Sequence, residues 1–283
     1  MVASALYIVP TPIGNLDDIT LRAIEVLKAA TLIAAEDTRH SKILLDKLGI
    51  GAVKMISCND HNEFERVDII ASEVEAGGVV ALISDAGTPM ISDPGYKLIS
   101  RLVERGVKVV PLPGPCAAIT ALCAAALPTD KFLFLGFLPV KDKELTAKLE
   151  SIAHSDTTTV FYESPRRIMN TLVKLQEIDP HRSVALCREM TKTFESIYRM
   201  EVGELISYLQ EHTDEVRGEF VLVVGPYEAP EGAEELLSAK AQQALQQLVG
   251  PLKVKEACKL VAELTGENRN RLYDYALTLK QEP

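Results

Sequence analysis

The chain has 283 residues, 47% of them hydrophobic and 25% charged, an ordinary globular composition long enough for about two domains. Its net charge of −10 argues against indiscriminate adhesion to nucleic acid or anionic lipid and favours a small or structurally specific partner. No apolar run approaches a membrane span and the Met1–Ala5 start lacks signal-peptide features, while Cys58, Cys116, Cys123, Cys187 and Cys258 are scattered without a CxxC or Cys/His cluster; a cytoplasmic protein with no disulfide framework and no metal site is expected.

Leu6–Val9 reads as a first strand running into Pro10-Thr11-Pro12-Ile13-Gly14-Asn15, after which Asp17 and Asp18 open a helix with Leu21, Ile24, Leu27 and Lys28 on one side. Prolines stand where a dinucleotide fold would carry glycines, which weakens a nicotinamide reading. Leu32–Ala35 is a second strand, ending in the polar strip Glu36-Asp37-Thr38-Arg39-His40, where Asp37 or Thr38 suits a helix cap. Helix Ser41–Leu48, strand Val53–Ile56, the polar loop Ser57–Asn62 and a helix closed by Gly77-Gly78 follow.

The organising stretch is Val79–Gly95, VVALISDAGTPMISDPG. Its apolar start reads as a buried parallel strand, and the loop behind it lies at the carboxyl end, where open α/β sheets bind ligands. Asp93-Pro94 has the form of a helix start, an N-cap acceptor before a proline at the first helical position. The next helix buries Leu98, Ile99, Leu102 and Val103 and ends at Gly106; strand Val107–Val110 then meets Pro111-Leu112-Pro113-Gly114-Pro115-Cys116-Ala117-Ala118, where a helix begins.

From Phe132 the pattern changes to strands Phe132–Pro139, Thr157–Tyr162, Ser183–Cys187, Glu195–Met200 and Glu219–Val224, with helices near Lys141–Ile152, Ile168–Gln176 and Val202–Glu211. Hairpin-length connections predict a second α/β sheet that is not purely parallel. An acidic linker, Pro226–Glu235, leads to helical patterns over Leu236–Leu248, Leu252–Leu264 and Asn268–Leu279, with Lys253, Lys255, Lys259, Arg269 and Arg271 giving this tail a basic character. The expected architecture is thus α/β: an N-terminal domain over 1–127 with a parallel-type sheet, a second α/β domain over 128–228 with a mixed sheet, and a linker plus small helical domain over 229–283.

The motifs YIVPTPIGNLDDIT, AAEDTRHS, ISDAGTPMISDPG, PLPGPCAAITAL, FLGFLP, FYESPRRI, CREMTKTFE and GEFVLVVG run in order from Leu6 to Gly225. Together they resemble the tetrapyrrole methylase family, the class III S-adenosylmethionine-dependent methyltransferases, and within it the branch acting on small-subunit ribosomal RNA. The resemblance implies S-adenosyl-L-methionine bound between two domains, a homodimer, and 2′-O-methylation of a decoding-centre cytidine (cytidine 1402) of 16S ribosomal RNA within the small ribosomal subunit. Carried over by motif, the cofactor residues are Pro12, Ile13 and Gly14, then Asp85, Gly87, Thr88 and Pro89, then Cys116 and Ala117, with Tyr162, Glu163 and the strand end at Arg188-Glu189 supplying the second domain's share. The alternatives on the same fold are a carbon methyltransferase of the precorrin or uroporphyrinogen type, or a non-catalytic module binding the cofactor or RNA.

Chemistry narrows the roles. Holding a sulfonium methyl in line with an acceptor oxygen supplies most of the rate, so positioning dominates. A ribose hydroxyl is a poor nucleophile and gains from a proton acceptor or a cation beside the forming alkoxide, which singles out Glu189 and Lys192 in one polar loop. Lys192 as a base requires a lowered pKa. Arg39, Arg166 and Arg167 suit RNA phosphates by their forked donors, with a surface ion pair to Glu36 or Glu163 as the alternative.

Overall fold

The computed structural model describes residues 2–59, 62–227 and 237–279. Its first half alternates strand and helix: Ala5–Ile8 (β1), Leu21–Ala29 (α1), Leu32–Ala35 (β2), Thr38–Lys47 (α2), Lys54–Ser57 (β3), Glu63–Glu75 (α3), Val79–Ile83 (β4), Tyr96–Glu104 (α4), Val109–Pro111 (β5) and Ala117–Ala124 (α5). The strands form one parallel sheet in the order β3-β2-β4-β1-β5. β1, β2 and β4 are buried along their whole length, so their side chains are apolar on both faces rather than alternating. Tyr7, Ile33, Ala81 and Ile83 pack with Ala23, Val26 and Leu27 of α1 and Leu45 of α2. On the other face Leu6, Leu32, Val80 and Leu82 meet Val67 and Ile70 of α3 and Leu98 and Leu102 of α4. Each fully buried aliphatic side chain there contributes about 1.5–3 kcal/mol.

Two local expectations fail for a capping reason. Asp17 and Asp18 belong to a 3₁₀ turn capped by Asn15, and α1 begins later, where the Thr20 hydroxyl accepts from the Ala23 amide. The later start sets the helix phase, so Ala23, Val26 and Leu27 face the core and Leu21 is 82% exposed. Likewise α4 begins at Tyr96 behind Gly95 (φ +126), not at Asp93-Pro94. Met90 and Ser92 are also left-handed, and this coiling turns Asp93 away from a capping position.

The second half contributes Phe132–Phe137 (β6), Asp142–Ala153 (α6), Thr158–Glu163 (β7), Pro165–Ile178 (α7), Ser183–Arg188 (β8), Ser196–Glu201 (β9), Val202–Glu211 (α8) and Phe220–Val224 (β10). The sheet order is β6-β7-β10-β8-β9; only the β6–β7 pair is parallel, and β10 runs antiparallel between β7 and β8. Here strand residues alternate in destination. Phe161, Leu186 and Leu222 pack under α6, α7 and α8, whereas Val160, Ala185, Cys187 and Val221 pack against Ala118, Ala121 and Leu122 of α5. The last helix of the first half therefore covers the second sheet, and both sheets belong to one unit, Met1–Tyr227.

The other unit holds Ala239–Leu248 (α9), Val254–Thr265 (α10) and Arg269–Thr278 (α11) around Leu245, Ala257, Cys258, Val261, Leu272 and Ala276. Gly266, left-handed at φ +76, closes α10, and the Asn268 side chain caps α11 by accepting from the Asn270 amide. Most of the expected linker lies outside the described residues. Among the described residues no helix is long and apolar enough to cross a membrane.

Candidate active site

Because the first sheet is parallel, the loops after β1, β2, β4 and β5 all emerge at one edge. They are sewn together. Thr11 and Gly87 exchange backbone hydrogen bonds of 2.9 and 3.0 Å, and the Thr88 hydroxyl donates to the Pro115 carbonyl at 2.8 Å. The Asp37 amide donates to Asp85 Oδ1 at 3.2 Å, and the Asp85 amide to Glu36 Oε2 at 3.4 Å. Gly87 sits at φ +81, and a Cβ there would lie 3.2 Å from Ile13 Cγ2; backbone conformation and space both call for glycine.

The second sheet meets this edge with the carboxyl ends of β7 and β8. Its antiparallel centre adds the amino end of β10, where Phe220 stands opposite both Glu163 and Arg188. Arg188 is only 5% exposed and ties two loops, donating from Nε to the Arg217 carbonyl (3.0 Å) and from a terminal nitrogen to the Phe194 carbonyl (3.1 Å). Those loops clamp Lys192, whose Nζ lies 2.9 Å from Glu189 Oε1 and 3.1 Å from Glu219 Oε2; the Glu219 amide also donates to Glu189 Oε1 at 2.9 Å. The clamp is tight: a Cβ on Gly218 would approach Glu189 Cδ to 2.6 Å, and one on Gly14 would approach Lys192 Cγ to 2.5 Å.

Three cavities open here, one of them, about 360 Å³, between Ile13, Cys116 and Thr191. The first, about 410 Å³, has Glu36, Asp85 and Asp93 on the first-sheet side, Cys116 and Ala117 at the start of α5, and Phe137, Tyr162 and Val221 on the second-sheet side. The second, about 330 Å³, lies between Pro12–Leu16 and α2 and reaches Lys192. Ile13, Asp85, Ala86 and Glu219 line both. Tyr162 stacks edge-on against Phe134 and Phe137, with ring centres 5.1 and 5.5 Å away, and Gly136 lets the β6 bulge approach Ser92.

The electrostatics differ across the cleft. Burial, with Glu36 and Asp85 nearby, pushes the Asp93 carboxyl up to about 6 against a hydrogen bond from Ser84. Burial also pushes the Tyr162 hydroxyl up to about 12. Burial acts against both charges of the Glu189–Lys192 pair, but their mutual hydrogen bond and Glu219 outweigh it, leaving Glu189 below and Lys192 above the ordinary value. A base would need the opposite shift, so in this geometry Lys192 is a held cation.

Of the expected cofactor residues, Ile13, Asp85, Gly87, Thr88, Cys116, Ala117, Tyr162 and Glu163 line the first cavity, and Pro12 and Gly14 line the second. Neither cavity is lined by Pro89 or Glu189. Both Glu163 oxygens are engaged, one by the Ser164 amide and one by the Thr171 hydroxyl. Arg166 is exposed, and Arg39 forks onto its own helix cap, Asp37, whose carboxyl it holds well below the usual range. Arg167 departs from the phosphate role: its terminal nitrogens donate to the Leu138 and Pro139 carbonyls at 3.1 and 2.6 Å and its Nε is 3.5 Å from Glu163, so it pins the β6–α6 connection. Sequence reasoning missed Asp93, which it read as a cap, and Glu219, which precedes a strand rather than following one.

Residues 5–206 match the family model of Tetrapyrrole (Corrin/Porphyrin) Methylases. The chain belongs to this family. Residues 235–280 match the RsmI C-terminal HTH domain, in line with the three helices of the second unit. Among curated relatives, the chain is 48% identical over 273 residues to the Ribosomal RNA small subunit methyltransferase I of Escherichia coli O157:H7, covering 96% of this chain and 94% of that protein. It is 47% identical to the protein of that name from Haemophilus influenzae, covering 96% of each. Among solved structures it resembles uroporphyrin-III C-methyl transferase from Thermus thermophilus complexed with S-adenyl homocysteine, at TM-score 0.52 and 20% identity over 78% of this chain and 97% of that one. The methyltransferase CobJ matches at TM-score 0.58 and 20% identity over 79% and 94%. These two structural likenesses establish the tetrapyrrole methylase fold of the two-sheet unit.

Proposed function

We propose that this protein transfers a methyl group from S-adenosyl-L-methionine to a ribose 2′-oxygen of 16S ribosomal RNA, at cytidine 1402 of the decoding centre. The near-full-length likeness to small-subunit ribosomal RNA methyltransferases supports the target. The observation that carries the chemistry is a pair of cavities that share a wall at Glu219, the ion-pair partner of the clamped Lys192 that lines the second.

The first cavity fits the cofactor by its donor set. Glu36, Asp85 and Asp93 suit an ammonium and ribose hydroxyls, and the Phe137–Tyr162 side offers an apolar surface to a purine. When bound, the cofactor supplies an electrophilic methyl whose bond to sulfur breaks, the electron pair staying on sulfur, as a bond to the acceptor oxygen forms. The chain's residues do the rest. The sewn loops hold their backbone groups fixed, so little reorganisation accompanies reaction. Lys192, kept protonated between Glu189 and Glu219, stabilises negative charge on the acceptor oxygen as the hydroxyl proton passes to solvent water. The same reading takes the small ribosomal subunit as the target particle, the cytoplasm as the place and a pair of chains as the working unit.

The test is transfer of labelled methyl from S-adenosylmethionine to small-subunit particles from cells lacking the enzyme, mapped by nuclease digestion. Label on one cytidine ribose is expected. Label on a base carbon, or none on RNA but transfer to a uroporphyrinogen, would replace this reading with the carbon methyltransferase.

A further inference from the structure

The molecule carries a net charge of −10, yet α2 has Arg39, His40, Lys42 and Lys47 against a single carboxylate, Asp46. Lys42 and Lys47 are exposed and make no ion pair among the described residues, and Arg39 is exposed with only its helix cap as partner. A basic helix on an acidic protein is a local invitation to polyanion.

This helix forms one side of the second cavity. Leu16, Ile43 and Leu44 give the cavity apolar walls, while His40, Lys47 and Lys192 supply cationic or titratable nitrogens. Ser41, another lining residue, is 3% exposed, and its hydroxyl has no hydrogen-bond partner. A buried hydroxyl is normally satisfied, so one left open beside a cavity marks a place for a ligand's polar atom. A nucleotide matches the mixture: a flat base for the apolar walls, a sugar with hydrogen-bonding oxygens, and a phosphate for the lysine. The cavity of about 330 Å³ is scaled for one such unit and not for a porphyrinoid trough.

We infer that the second cavity seats the acceptor nucleotide of the RNA, with Lys47 on its phosphate and Ile43 and Leu44 against its base. The inference rests on the methyl-transfer reading above and assigns that reaction its acceptor site. The wall common to both cavities, at Ile13, Asp85, Ala86 and Glu219, is then where the methyl crosses, beside Lys192.

The test compares Lys47→Glu with Lys28→Glu, a charge-matched change in the exposed last turn of α1, using labelled S-adenosylmethionine and unmethylated small-subunit particles. Lys47→Glu is expected to raise KM for particles about tenfold or more with kcat within about twofold, and to leave cofactor affinity unchanged by calorimetry. Lys47→Arg restores KM, and Lys47→Ala reduces the slope of log binding constant against log salt by about 0.7–0.9, one phosphate's worth. Equal KM values for Lys47→Glu and Lys28→Glu overturn the inference, as does loss of cofactor binding in Lys47→Glu, which would give the cavity to the cofactor. A wild-type chain that binds no cofactor or moves no methyl to the particles overturns the underlying reading itself, whatever the variants do.

Discussion

The two walls of the cleft are built on opposite plans. The first-sheet wall is acidic and comes from loops that all leave the carboxyl ends of parallel strands, stitched by backbone and hydroxyl hydrogen bonds. The second-sheet wall is aromatic and carries a lysine; it is assembled from the ends of β6, β7 and β8 and the start of β10, held by the buried Arg188 and by glycines that leave no room for a Cβ. A parallel sheet delivers many short loops to one place, which suits grasping an extended cofactor. A mixed sheet brings a strand start in among strand ends and lets facing loops interlock, which suits fixing one charged atom.

That division predicts separable defects. Lys192→Met removes the cation while keeping much of the apolar stem that packs on Gly14, and should lower kcat for methyl transfer by about 10²–10³ while cofactor affinity stays within about twofold. Single-turnover transfer alongside calorimetry separates the two; a loss of cofactor binding with transfer rates intact would reverse the roles of the walls.

On the acidic wall, Asp93→Asn should do the opposite, weakening cofactor binding by about tenfold through loss of a charged acceptor. It should also stabilise the protein. Because the Asp93 carboxyl is raised to about 6 in the fold, mainly by burial, its favourable contribution is complete below the ordinary carboxylate range and disappears as pH rises through 6. At pH 7.5 the buried charge is therefore a cost, and asparagine removes it. The shift corresponds to about 2–3 kcal/mol, reduced to about 1 kcal/mol by the group's remaining contact with solvent. Thermal melts of both proteins should differ at pH 7.5 and converge towards pH 4; an asparagine variant less stable at pH 7.5 would show that the carboxylate is held by a favourable partner instead.

The same contrast governs what was legible in the sequence. The first-sheet strands read as short apolar runs with Gly/Pro-rich or polar loops behind them, so the loops after β1, β4 and β5 stood out by position, and the motif resemblance picked Pro12–Gly14, Asp85, Gly87–Pro89 and Cys116-Ala117 within them. The second wall hid its parts. Glu219 precedes β10, and only the antiparallel placement of that strand brings it beside Glu189 and Lys192. Asp93 looked like a helix cap because Asp-Pro is a good cap sequence; left-handed Met90 and Ser92 turn it into the cavity wall, and no composition rule anticipates two non-glycine residues at positive φ. For Arg167 the ion pair with Glu163 could be weighed from the sequence, but the carbonyls it serves, at Leu138 and Pro139, could not, because they are distant in the chain.

If one cavity holds the cofactor and its neighbour the acceptor, cofactor titration into two variants tells them apart. Ala117→Leu adds bulk to the first cavity at the start of α5, whereas Gly14→Ala drives a methyl group into the Lys192 stem at the second. Ala117→Leu should weaken S-adenosylmethionine binding by about tenfold or more, while Gly14→Ala should bind it within about threefold of wild type and lose methyl transfer. Wild-type affinity in Ala117→Leu, or lost cofactor binding in a folded Gly14→Ala, would contradict that assignment.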